Sequence, residues 1–452
     1  MPPDLARIVF IGFIIAVLVY DNRKEPYPSK GLLIPLVWFM LSGSKSVRGW
    51  LGQTPPPDAS IDYTSGDPLS RAVLIVLMLL ALFVLYKRHF RIHDFVKENK
   101  WVFYLFIYMG VSILWSDFEM VSIKRWYRSI GDLLMALVIL TEVNPFLALQ
   151  KTIRRTGFIL ITLSLLYIKY FRDIGVGYDY EGFTMWVGVT THKNSLGQLA
   201  CVMGLYFTWR LIFSEKRGPV DILFLFISVW ILKGAGGATS KTSLIVYLLG
   251  VLTLIALKKI GNDPSKISKI LMVVLILFLM TNVLVEILQN QSLIAFLITS
   301  SGGDMTLTGR TYLWSDLIQI GLSSPILGSG YGGFWVGDIG HDLWLKHTWK
   351  PGQAHNGYID VFVNLGLVGL VLLVGFLAES YRRILINLRL NHAIGSFQLT
   401  FFTIILLFNI TESSFNKPTS FLWVLFLLVV VGIPSGEFDE QGGHDNGEII
   451  SS

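Results

Sequence analysis

Long apolar runs separated by short polar intervals fill most of this chain. They occur at Leu5–Tyr20, Gly31–Gly43, Ala72–Tyr86, Trp101–Trp115, Ile130–Leu149, Gly157–Phe171 and Leu196–Phe213. They continue at Val220–Leu232, Ser243–Leu257, Ile267–Leu288, Tyr358–Ala378, Phe397–Phe408 and Phe421–Gly432. A helix needs about 20 residues to cross a bilayer, so the shorter runs, Gly31–Gly43 above all, must borrow polar flanks. The pattern predicts an all-α, polytopic membrane bundle of about 12 or 13 helices. One integral membrane domain covers residues 1–432, and no internal repeat divides it. Residues 433–452, rich in Gly, Asp, Glu and Ser, read as a disordered cytoplasmic tail.

One interval breaks the rhythm. Residues 289–355 form a long, largely polar loop, and the stretch Gly302–Gly369 carries Arg310, three histidines (His341, His347 and His355) and several carboxylates. A loop of this length without regular structure is uncommon and usually functional. Within it, Thr311–Ile320 reads as a short amphipathic helix ended by Gly321, with Arg310 in its first turn.

Composition sharpens the class. The chain is 53% hydrophobic and 15% charged, with a mean hydropathy of +0.59, against about 25% charged residues in a soluble domain. The formal net charge of +6 is spread over many short loops and does not indicate nucleic acid. Apolar Ile8–Tyr20 runs into DNRKEPYP rather than a small-residue cleavage site, so no cleavable signal peptide is evident. The single cysteine, Cys201, lies in an apolar run, which excludes disulfides and Cys-based metal sites.

Basic residues set an orientation. Alternate loops carry Arg23, Lys24 and Lys30; Lys87, Arg88, Arg91, Lys97 and Lys100; Lys151, Arg154 and Arg155; Lys216 and Arg217; Lys258, Lys259, Lys266 and Lys269; and Arg382, Arg383 and Arg389. That side is expected to be cytoplasmic, with the 289–355 loop outside. The outer side nonetheless holds Lys124, Arg125 and Arg128 in SIKRWYRS, Lys193 in TTHKNSLG, Lys241 in ATSKTSL and Arg310 in LTGRTYLW. Each alone could be a snorkelling side chain. As a set near membrane depth they point to a bound anion.

At the loop-to-helix junction, Asn356, Asp360 and Asn364 share one helical face, which should look into the bundle or a wet cavity. Gly366 and Gly369 would allow close helix packing. His355 reads either as a helix cap or as a base at the helix mouth. GSGYGG fits G-x-G-x-x-G at Gly328, Gly330 and Gly333, but no strand–helix unit surrounds it. It is better read as a pliable loop whose Tyr331, Phe334 and Trp335 stack on sugar or wedge into lipid. The spacing of His341, His347 and His355 matches no standard zinc site, so no metal is expected.

These motifs resemble the O-antigen ligase and polysaccharide polymerase superfamily of bacterial membrane glycosyltransferases, the Wzy-like and exopolysaccharide-production proteins. His355–Asn356–x9–Gly366–x2–Gly369 matches its late loop-to-helix motif. TGRTYLW followed by PILGSGYG is similar to its arginine–tryptophan loop, and THKNSLG, TSKTSL and TESSF, with Glu412, resemble three further segments. The likeness covers roughly residues 185–425. Lys241 departs from it, because many members carry Arg there and lysine lacks the bidentate fork.

The resemblance implies a GT-C-like inner-membrane glycosyltransferase, multi-pass, with its active loop periplasmic. It would move a glycan from a polyprenyl-diphosphate carrier to an acceptor hydroxyl, on another glycan or on lipid A–core. It implies His355 as general base and Arg310 as a catalytic cation. Lys241, Lys193, Asn356, Asp360, Arg128 and Glu412 would bind substrate. Direct displacement would invert the anomeric centre, and neither metal nor soluble cofactor is required. Membrane lipid is a partner, nucleic acid is not, and polysaccharide-assembly proteins remain open as partners. The alternatives are a polysaccharide or lipid transporter and a non-enzymatic cell-envelope assembly protein. Transport calls for paired repeats and broken midplane helices, which the sequence does not display. Ligase and polymerase share this chemistry, and the sequence leaves both open.

Overall fold

A computed structural model of the chain describes residues 1–24, 29–52, 67–178, 182–235, 239–261, 263, 266, 310–347 and 349–434. The apolar run at Ile267–Leu288, the first part of the long polar interval and the tail from residue 435 lie outside the described residues. The described chain is almost entirely helical. Its first half comprises α1 (Pro3–Lys24), α2 (Leu33–Ser42), α3 (Val47–Trp50), α4 (Pro68–Lys87), α5 (Ile92–Glu98), α6 (Lys100–Val111), α7 (Glu119–Leu140), α8 (Pro145–Tyr170) and α9 (Arg172–Gly175). A short antiparallel hairpin, β1 (Val176–Tyr178) and β2 (Thr184–Trp186), follows. Then come α10 (Lys193–Phe213), α11 (Pro219–Lys233), α12 (Lys241–Ile260), α13 (Arg310–Gly321), α14 (Asp338–Lys346), α15 (Gly357–Leu390), α16 (His392–Thr411) and α17 (Phe421–Val430).

Six described helices are long and apolar enough to cross a membrane: α1, α4, α10, α12, α15 and α16. The chain is an all-α polytopic membrane protein. Burial sorts the helices by role. On α4, Leu79 and Phe83 are exposed, as suits a lipid-facing helix, whereas every residue of α17 is buried. A helix apolar on all sides belongs in a core, and α17 supplies Trp423 and Phe426 to its aromatic centre.

Side-chain ties order the helix ends into two faces. Asp21 meets Lys151, Arg154 and Arg155. Arg88 meets Glu142, Arg210 meets Asp221 and Arg383 meets Asn99. All of these lie at one end, and the basic residues assigned to one set of loops gather there. The other end holds the starts of α7, α10, α12, α15 and α17, the ends of α2 and α16, and helices α13 and α14.

Four sequence expectations need correction. Helix α8 starts at Pro145 behind Asn144, whose side chain accepts from Leu147 N at 2.9 Å. That cap places the break between α7 and α8 at 141–144, so Lys151, Arg154 and Arg155 are helical residues rather than loop residues, the first two buried and all three paired with Asp21. Likewise Lys124, Arg125 and Arg128 lie inside the early turns of α7 instead of following a helix end. The described part of the long polar interval is also structured, because α13 and α14 pack a small core of their own around Leu313, Leu317, Phe334 and Leu343.

The fourth correction concerns Gly366. It has φ +63° and ψ −163°, so it breaks α15 instead of smoothing its packing. The break strands backbone groups, and the 325–329 segment satisfies them. Leu367 N donates to Pro325 O at 2.8 Å, Val368 N to Ile326 O at 3.2 Å, and Ser329 N to Val363 O at 3.1 Å. Tyr108 adds a hydroxyl bond to Leu365 O at 3.1 Å. A Cβ on Gly366 would stand 2.2 Å from Ile326 O. Gly366→Ala should therefore cost more than the roughly 1–3 kcal/mol of backbone strain alone. Gly12→Ala, which meets nothing within 4 Å, should be neutral, and thermal unfolding of the two purified variants checks both.

Candidate functional site

The site assembles on one carboxylate. Glu412 follows the last turn of α16, is almost fully buried, and receives groups from three other elements. His355 Nδ1 lies 3.3 Å from its Oε2. Arg310, opening α13, reaches Oε1 at 3.4 Å and also donates to the Thr411 carbonyl. Asn194, in the first turn of α10, donates to Oε1 at 2.9 Å. Gln353 donates toward Oε2 at 3.4 Å, while its own carbonyl accepts from Lys417. Three candidates from distant sequence, His355, Arg310 and Glu412, are thus brought into one cluster.

Local sequence explains the placement of His355. Asn356 is the cap of α15, with Oδ1 accepting from Tyr358 N at 3.0 Å and Ile359 N at 3.2 Å. The cap role expected as one alternative for His355 belongs to its neighbour. His355 itself has φ +49°, a left-handed turn that carries the chain into the cap. Of the five non-glycine residues with positive φ among the described residues, Lys350, His355, Asn416 and Thr419 lie in the two loops that meet here. Strain of this kind gathers at functional sites because surrounding structure must hold it.

The imidazole and the buried carboxylate set each other's chemistry. Burial alone would push the Glu412 carboxyl up, but the His355 hydrogen bond and the charges of His355, Arg310 and Lys417 hold it below the usual carboxylate range. With Nδ1 facing a carboxylate, the natural tautomer carries its proton there and leaves Nε2 as the basic nitrogen. Crowding by protein, together with Lys193, His355 and Arg310, pushes the His192 imidazole down against the opposing pull of Glu412. His192 therefore stands in the same electrostatic field, although its Nδ1 is occupied in capping α10 at Asn194 N.

Asp360 and Asn364 face a cavity of about 340 Å³, as their shared face required. Asp360 Oδ1 accepts from Trp335 Nε1 at 2.8 Å, and Asn364 Oδ1 accepts from Gly332 N at 3.0 Å. Arg125, Arg128 and Lys417 enter the same cavity. A second cavity of about 330 Å³, lined by Glu412 and hydroxyls such as Ser44, Thr190, Ser195 and Ser413, lies on the other side of Gln353 and Lys417. The aromatics of GSGYGG do not wedge into lipid. Tyr331 and Phe334 are buried, the Tyr331 hydroxyl meets Ser129 and the Asn416 carbonyl, and Trp335 is spent on Asp360.

Lys193 and Lys241 open α10 and α12, which run parallel with touching first turns: a Cβ on Gly197 would meet Ser240 and Ser243. Both thus sit at helix N-termini, where the backbone dipole favours anions. His347 is committed to Asp316 at 2.9 Å and fastens α14 to α13, while His341 is exposed. Sequence reasoning missed Asn194, Gln353 and Lys417. Asn194 and Lys417 stand inside or just after motifs already singled out, THKNSLG and TESSF, but nothing in their spacing points to a shared carboxylate.

Comparison with known proteins bears on the family rather than on the roles of these side chains. The family model described as O-antigen ligase matches residues 223–374, a span that includes Lys241, Arg310, His355 and Asp360. Over that span the chain resembles the O-antigen ligase/Wzy-like family. It is also 26% identical over 297 residues to the exopolysaccharide production protein ExoQ of Rhizobium meliloti (strain 1021). That match covers 62% of this chain and 64% of the relative, so the chain spans somewhat under two thirds of the curated relative. Within the family match, the His355 junction is the part whose geometry is most fully tied down.

The pH dependence of the cluster follows from the sign of the Glu412 shift. A carboxylate held below its unfolded value contributes stability that is complete above the ordinary value and is lost as pH falls through the lowered one. Glu412→Gln should destabilise the protein by about 1–3 kcal/mol at neutral pH, as expected for lost charged hydrogen bonds. The difference from wild type should stay constant down to about pH 5. It should shrink as pH falls through the ordinary value of 4.5 and below, as read by thermal unfolding across pH.

Proposed function

We propose that the chain transfers a glycan from a polyprenyl-diphosphate carrier to an acceptor hydroxyl, with His355 as general base. The observation that carries this reading is the pairing of His355 Nδ1 with buried Glu412 beside Arg310, where Glu412 borders a hydroxyl-lined cavity. Glu412 orients the imidazole and offsets the positive charge that forms when Nε2 takes the acceptor proton. Arg310, Lys193 and Lys241 offer fixed cations for the diphosphate as it leaves, which is usually the largest catalytic contribution. Direct attack inverts the anomeric centre and calls for no metal. The family match and the likeness to ExoQ support a polysaccharide substrate, and the acceptor is another glycan or lipid A–core.

The proposed setting is the bacterial inner membrane, with the cluster outside. A single cysteine at exposed Ser323, introduced after replacing buried Cys201, should react with an impermeant thiol reagent from the periplasmic side. Labelling only from the cytoplasmic side would reverse the orientation and remove the lipid-linked donor from reach.

Transport is the second reading, and the break in α15 at Gly366 is the observation that favours it, since transporters use broken helices. The two separate at His355. A general base is worth about 10²–10⁴-fold in rate, so His355→Ala and His355→Gln should lose about that much transfer by purified protein on lipid-linked donor. Arg310→Ala should be severely impaired and Arg310→Lys partly active, whereas Lys241→Arg and His192→Gln should keep most activity. Near-normal turnover by His355→Gln would reduce the residue to a hydrogen-bonding role. Carrier movement unaffected by that change, with no transfer in wild type, would favour transport.

A further inference from the structure

The cation-lined cavity has a composition that base catalysis does not explain. Arg128 enters it from the third turn of α7 and makes no hydrogen bond or ion pair with the described residues, although Asp132 and Tyr331 feel its charge. Lys417 enters from the loop after α16, and its ammonium donates to the Gln353 amide oxygen. Arg125 closes a third side while donating to the Gly332 carbonyl. Against these three cations stands one carboxylate, Asp360, whose oxygens are already used by Trp335 Nε1 and Ala354 N. The remaining wall is mainly apolar, with the Trp335 indole, Phe415 and Leu365 offering faces to a sugar ring and the Asn364 amide, bonded to Gly332 N and the Asp360 carbonyl, at its polar edge. At about 340 Å³ the cavity falls at the small end of ligand sites, which run from about 300 to 1,000 Å³.

We propose that this cavity binds a carboxylate-bearing sugar of the glycan. Gln353, Lys417 and Pro418 line both this cavity and the hydroxyl-lined one that Glu412 borders, and Gln353 reaches Glu412 and His355. A sugar anchored here would hold a neighbouring residue of the same glycan at the His355 cluster. Arg128 supplies a planar donor fork for the carboxylate, Lys417 a second charge, and Asn364 and Trp335 contact the ring. The Asp360 carboxyl, already bonded to Trp335 Nε1 and Ala354 N, occupies part of the same wall and leaves room for a compact carboxylate rather than a diphosphate. The strained Asn416 and Thr419, on either side of Lys417, are held by the Tyr331 hydroxyl and by Asp132, which accepts from Thr419 N at 2.9 Å. The loop is thus fixed with Lys417 in the wall rather than left free.

The proposal deepens the transferase reading, but its test needs no turnover, so the two can fail separately. Purified full-length protein in nanodiscs is titrated with glucuronate, glucose and inorganic pyrophosphate by calorimetry. Glucuronate should bind at least about tenfold tighter than glucose, the worth of one charge-assisted hydrogen-bonded pair. Arg128→Gln and Lys417→Gln should each remove most of that preference, Arg128→Lys should retain part of it, and pyrophosphate should not displace glucuronate. Should Arg128→Gln fail to fold, Lys417→Gln and Arg128→Lys give the same reading, with thermal unfolding as the control. Displacement by pyrophosphate would assign the cavity to the donor headgroup and overturn the proposal. Equal binding of glucose, absence of any binding, or an unchanged preference in folded variants would overturn it as well.

Discussion

Four separate parts of the chain are held to one another by the buried carboxylate of Glu412. It ends α16, takes a hydrogen bond from Asn194 at the start of α10, pairs with Arg310 at the start of α13, and faces His355 just before α15. A charge taken this far out of water is tolerable only when paired and hydrogen-bonded. The requirement works in both directions. The carboxylate needs its four donors, and the donors' elements are thereby fixed around it. Replacing it by a neutral group would leave Arg310 and His355 without their shared anchor.

A second constraint makes room for that cluster. The break of α15 at Gly366 frees carbonyl and amide groups that the 325–329 segment takes up as a strap. The same strap leads into Tyr331 and Trp335, which contact the 416–419 loop and Asp360. Irregular backbone at membrane depth is tolerated where protein buries it or a cavity receives it, and both conditions hold here. The break therefore links the position of the GSGYGG segment to the wall of the cation-lined cavity.

The opposite end of the bundle uses charge differently. Asp21 and Asp221 are fully buried among Lys151, Arg154 and Arg210, a network that joins α1, α8, α10 and α11. Its charges are committed to one another. One end of the molecule thus spends buried ions on holding helices together, while the other turns cations toward enclosed space.

The sequence by itself determined the class of molecule, because apolar runs of spanning length admit few folds other than a helix bundle. It also determined where polar chemistry would concentrate, since Asn356, Asp360 and Asn364 can share a face only as a helix, and Arg310 and His355 stood in recognisable motifs. Local signals misled where tertiary partners overrode them. Lys151 and Arg154 looked like loop residues until Asp21 and Asp221 accounted for their burial, and Gly366 looked like a packing glycine until the strap supplied its missing hydrogen bonds. What only the tertiary structure decided was which motifs meet. Asn194, Gln353 and Lys417 carry no spacing signal toward Glu412, because their proximity arises from parallel α10 and α12, the end of α16 and a strained loop converging at one end of the bundle. Periodicity records which way a side chain faces along its own helix; the identity of the group across the gap is set by the packing of helices distant in sequence.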